Sequence, residues 1–161
     1  LLSAALRYTT GWGQVPPLQG SASVAAAFDT VDERQARPVS FAAVESEFDG
    51  RRDDIDELLT RYFRVKVQGI HFCGPANFET GLVDGFRWLV LMYPIVMWLG
   101  RIRAVQQGRQ TLDLSDVQAA LATADHNFGY SPALGTMSSL QRVRQLAKMG
   151  QITALTGWYS R

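Results

Sequence analysis

The chain has 161 residues, 47% of them apolar and 19% charged, with a formal net charge of +1. That is enough apolar material for one folded core, which excludes a disordered tail, and the near-neutral charge gives no electrostatic footprint for a nucleic-acid partner. One cysteine, Cys73, excludes an intrachain disulfide and any all-cysteine metal site, and favours a reducing, cytoplasmic setting.

The chain starts at Leu1 with no methionine, so it reads as an excised C-terminal part of a longer protein: one helical domain over 1–161, loop-rich at 9–50, with a helical core at 51–161. Leu1, Leu2, Ala5 and Leu6 can share one face of a helix begun upstream. Gly11, Gly13, Pro16, Pro17 and Gly20 then break periodicity and predict a long irregular connection, with short helices around Ser23–Phe28 and Val39–Phe48 and a turn at Asp49-Gly50.

Asp53 or Asp54 is placed to cap the next helix. At 100° per residue Ile55, Leu58, Leu59, Tyr62, Phe63 and Ile70 form one stripe, which predicts a helix over about 54–72. Arg64 to Gln68 also alternates with period two, leaving a short strand there as the alternative. Gly74-Pro75 ends this element, and a new helix is expected to start near Asn77–Thr80. Its run from Trp88 to Gly100 is apolar on every side and spans roughly 20 Å as a helix, against roughly 30 Å for a bilayer core. A buried central helix is therefore expected, not a membrane span, with Pro94 kinking it or opening a second helix and Gly108 closing it.

Ser115 with Gln118 makes a capping-box signal, followed by the stripe Val117, Leu121, Ala124 and Phe128. The loop Phe128–Gly135 is too long for the turn of a DNA-binding helix pair. Leu140, Val143, Leu146 and Ala147 line a further helix ending at Gly150, and residues 151–159 allow a short terminal one. The pattern as a whole predicts an all-α fold, an irregular bundle of about five helices.

The chemistry-bearing residues each have a plain structural reading beside the functional one. His71 and Cys73 could supply two metal ligands, but a structural zinc needs four, so a buried thiol and a hydrogen-bonded histidine are preferred. A Cys73–His126 nucleophile–base pair lacks any local signature. His126 lies about 180° from the Val117/Leu121 stripe, so it is solvated unless a second element covers it. Beside Asp125 it is a candidate for acid–base chemistry, as is His71. Lys66 sits within an apolar stripe and needs an acid, with Glu79 or Asp84 in view. Asp84 and Arg87 can pair at i,i+3, while Arg142, Arg144 and Lys148 read as a solvated basic edge.

The strings RYFRVKVQGIHFCGP, LVDGFRWLVLMYPIVMWLGR, LSDVQAALATADHNFGYSPALG and LTGWYSR, over Tyr62 to Arg161, resemble the C-terminal helical half of YkgJ-type cysteine-cluster proteins. That group is related to flagellin lysine N-methylases. The resemblance implies an upstream cysteine cluster chelating zinc or iron, a protein substrate, and protein lysine N-methylation with S-adenosylmethionine. The cluster itself is absent from this sequence, so no metal ligand carries over and Cys73 does not match it. By that resemblance this half packs on the metal domain, and a site at the junction would draw on His71–Asn77 and Asp125–Ser131. Catalytic candidates are then His126, Asp125 and His71, and cofactor-binding candidates are Asn77, Tyr130 and Lys66. The alternative is a non-catalytic binding or structural module, using Trp12, Trp158 or Tyr159.

Overall fold

The computed structural model describes residues 23–24, 38–49, 52–129 and 136–160. The fold is all-α, as the periodicity predicts. Its helices are α1 (Phe41–Val44), α2 (Asp53–Gln68), α3 (Leu82–Gln106), α4 (Leu114–Gly129), α5 (Met137–Lys148) and α6 (Gln151–Tyr159). Two residues of β1 (Ser23–Val24) pair antiparallel with β2 (Val39–Ser40), Ser23 opposite Ser40. A strand therefore stands where Ser23 was expected to open a helix, and the helix expected over Val39–Phe48 shrinks to α1, capped by Ser40 accepting from the Ala43 amide. The expectations for residues 1–8, for the breaks at 9–20 and for Tyr130 to Gly135 lie outside the described residues.

α3 is the axis of the bundle, packed by α4, α5, α6 and α1. Val96, Leu99, Ile102 and Ala104 are buried along it and join Val117, Ala120 and Ala124 of α4 in the main core. A smaller cluster joins Leu91 of α3 to Val143 of α5 and Ile152 of α6. Pro94 neither ends α3 nor opens a second helix, and Gly108, at φ +75°, follows its end. By length and composition α3 could cross a membrane, but 56% of its apolar window is buried by its neighbours, which is how a central helix satisfies an all-round apolar surface.

The hinge between α2 and α3 differs from expectation. α2 ends at Gln68, short of residue 72, and Gly69 closes it with its amide on the Val65 carbonyl. Ile70, expected in the stripe, is left exposed with a left-handed backbone, φ 52°. Residues 64–68 are helical, so the period-two valines Val65 and Val67 simply face solvent. Pro75–Asn77 forms one 3-10 turn, Phe78 and Glu79 are also left-handed, and the Gly74 amide donates to the Thr80 carbonyl at 2.8 Å. α3 starts only at Leu82, because this turn uses the residues expected to begin it.

Two caps sit elsewhere than predicted. Arg52, not an aspartate, holds the cap position of α2, while Asp54 in the first turn accepts from the Ile55 amide. At the start of α4 the side chain that reaches back is Asp116, two residues before Gln118: the Asp113 amide donates to Asp116 Oδ2 at 3.0 Å, and the Asp116 amide donates to the Asp113 carbonyl. Asp116 is fully buried and held by both terminal nitrogens of Arg109, which raises the Arg109 pKa. Arg144 is also more than a solvated charge. It donates through Nε to Asp84 at 2.9 Å, tying α5 to the start of α3, while Arg87 takes the other Asp84 oxygen at 2.9 Å, as its spacing predicts.

Candidate functional site

A recess of about 50 Å³ lies between α2, the 69–81 turn, α3 and α4. Tyr62 and Lys66, one helical turn apart on α2, reach it together, and Asp125 of α4 meets them. The Tyr62 hydroxyl donates to Asp125 Oδ1 at 2.6 Å, and Lys66 Nζ lies 2.8 Å from the same oxygen. The ammonium also stands 5.3 Å from the Tyr62 ring centroid, within cation–π range. Lys66 thus finds its acid across the bundle, 63 residues beyond Tyr62 in Asp125, and not in Glu79 or Asp84.

The opposite wall is the turn. His71, Phe72, Asn77 and Thr80 line the recess, and Asn77 Nδ2 donates to the Phe72 carbonyl at 2.8 Å. Asn77, a cofactor-binding candidate from sequence, therefore spends its amide N–H on holding the turn. α3 approaches this carbonyl so closely that a Cβ on Gly85 would lie 1.9 Å from the Phe72 oxygen. Trp88 forms part of the floor, and its indole N–H is buried with no acceptor among the described residues. A buried donor in that position calls for an acceptor brought in by water or ligand.

Of the sequence candidates, Asp125, His71, Lys66 and Asn77 converge here. His126 does not line the recess and is exposed, so the expected convergence of both histidines with Asp125 is corrected: one residue along a helix turns the side chain by about 100°. Tyr130 lies outside the described residues. Cys73 is buried, and among the described residues no group of three or more histidine, cysteine or acidic side chains converges to hold a metal. Nor does the recess fit S-adenosylmethionine, since sites for such ligands run to about 300–1,000 Å³. Tyr62 and Trp88 were read from sequence only as core residues. The signal that could have singled out Tyr62 is its i,i+4 spacing to Lys66.

The same corner of the chain carries exposed apolar side chains that do not line the recess. Leu82, Val83 and Phe86 lie on the first turns of α3, and Phe78 and Ile70 stand in the strained turn. Phe86 meets Phe72 edge-on, ring centroids 6.0 Å apart. Of the aromatic residues of the alternative reading, Trp12 lies outside the described residues, Tyr159 is buried and Trp158 is 45% exposed; the Tyr159 hydroxyl and the Trp158 indole donate to the two oxygens of Glu45 at 2.6 and 3.0 Å. No protein-family model, curated protein or solved structure matches the chain.

Proposed function

We propose that this chain is a recognition domain that docks a partner on the corner between α2 and α3. The observation that carries the reading is the exposure of five large apolar side chains there: Leu82 63%, Val83 62%, Ile70 57%, Phe86 51% and Phe78 41%. Apolar groups gathered at one corner, next to a recess with an unfilled donor, mark an interaction surface. Left-handed backbone at Ile70, Phe78 and Glu79 costs on the order of 1–3 kcal/mol per residue and is typical of segments kept for binding.

The string resemblance supplies the occupant. In this proposal the partner is a cysteine-cluster region carrying zinc or iron, and the assembled cytoplasmic protein serves protein lysine N-methylation. The corner then shapes the junction, with one polar partner side chain entering the recess toward Trp88 and the Lys66–Asp125 pair. Metal and S-adenosylmethionine belong to the partner region in this reading. The test is photo-crosslinking from p-benzoylphenylalanine at position 86 in the full-length protein. Crosslinks into a cysteine-rich segment of the same chain, abolished by Leu82→Glu, are the expected result. Crosslinks landing elsewhere, or a full-length chain with no such segment, overturn it.

A further inference from the structure

Arg101 is the least satisfied charge in the described structure. It directly follows α3's apolar run and is only 4% exposed. Its Cζ lies over the rings of Phe48 at 4.8 Å and Tyr159 at 4.9 Å. Its Nε–H is buried without an acceptor, and the guanidinium forms no ion pair or hydrogen bond among the described residues. Two aromatic faces offset part of the desolvation of a cation, but they offer nothing to its in-plane N–H donors. A buried arginine left in this state is costly, and an apolar residue of similar size would fill the space at lower cost.

Arg101 borders a second small recess of about 20 Å³, between the Phe48–Arg52 segment, α2, α3 and the end of α6. Four charged side chains line it: Arg101, Arg52, Asp49 and Asp56. Arg52 is already engaged, with Asp54 at 2.8 Å and Asp113 at 3.1 Å. Neither Asp49 nor Asp56 lies within ion-pair distance of Arg101. Ser160, at the end of α6, adds a hydroxyl to the wall.

We propose that this recess is a binding site for a small carboxylate, held edge-on by Arg101. Guanidinium and carboxylate match as planar two-point partners, and the covered faces of Arg101 leave its edge as the approach. Space for about one or two waters accepts the two oxygens of a carboxylate and rejects a tetrahedral phosphate. Asp49 and Asp56 further disfavour a dianion. The site is separate from the recess at Lys66 and Asp125 and does not depend on the docking proposal.

The experiment is a titration of the wild-type protein with acetate, phosphate and chloride at matched ionic strength, following the Arg101 Nε–Hε resonance. Acetate is expected to give a saturable shift, with a Kd on the order of 10 mM, and chloride none. Asp56→Asn, which removes a competing negative charge, should tighten acetate binding about threefold or more, and Arg101→Lys should weaken it at least about tenfold. A shift that chloride reproduces, phosphate binding tighter than acetate, or no saturation up to about 100 mM overturns the proposal. So does an Asp56→Asn protein that loses stability and gains no affinity, because Asp56 would then be the anion of Arg101 through water. The wild-type titration decides the question even if the Arg101 variant fails to fold.

Discussion

Gly85→Ala should destabilise the protein although helix propensity predicts the reverse. Alanine is favoured over glycine inside a helix by about 1 kcal/mol. The added methyl, however, would stand 1.9 Å from the Phe72 carbonyl oxygen, 2.9 Å from its carbon and 3.1 Å from Cys73 Cβ. Two of those atoms are backbone, so relief requires α3 and the turn to separate by more than 1 Å. That movement strains the Asn77 bond to the same carbonyl and opens the floor of the recess. Overpacking of this kind costs about 1–3 kcal/mol, and a clash with rigid backbone belongs at or beyond the top of that range. Net of the propensity gain, a loss of about 2 kcal/mol is expected, or a fall in Tm of about 4–8 °C for a domain of this size. Gly157→Ala in α6 is the control, since its methyl would meet nothing within 4 Å and propensity alone should stabilise it slightly. Urea and thermal unfolding followed by circular dichroism read both variants. If Gly85→Ala proves neutral or stabilising like Gly157→Ala, the close approach of α3 to the turn is wrong.

Three further outcomes follow from the same geometry. Asp125→Asn removes the ion pair with Lys66, whose side chain is 15% exposed, and should cost about 1–3 kcal/mol in urea unfolding, while Tyr62→Phe should cost about 1 kcal/mol. Asp116→Ala removes the two-point partner of Arg109, leaving it the more exposed Asp113, and opens the α4 cap, so a loss of about 2–4 kcal/mol is expected, measured by circular dichroism. Asp84 is held below the usual carboxylate range by Arg144 first and Arg87 second, against its own burial. A lowered folded-state pKa means stability that is fully present above the unfolded-state pKa of about 3.9 and lost as pH falls through the folded value. Asp84→Asn should flatten this acid dependence below about pH 4, and an unchanged slope would remove Asp84 from the acid response.

The helical class and most of the helices of the second half were legible in the sequence, because period-3.6 apolar stripes report which face must leave water whatever it packs against. The buried character of the Trp88–Gly100 run and the Asp84–Arg87 pair were legible for the same reason, being local to one helix. Local rules failed where several competing caps lay within two residues, as at Asp113 and Ser115, since only the partner arginine Arg109 decides which carboxylate is drawn in. The corner between α2 and α3 was misread because Gly74 and Thr80 close a turn by a backbone bond that no side-chain pattern signals.

The sequence by itself determined which surfaces of the helices are apolar and that Lys66 needs an acid within reach. Only the tertiary structure decided that the acid is Asp125 and that the outward-facing His126 stays exposed. It also decided that Arg101, the residue after the apolar run, is buried against two rings with its Nε–H unused. The physical reason is common to all three. Burial and stripe position are set by the period of one helix, whereas charge pairing depends on distances across the bundle, which the sequence does not encode locally.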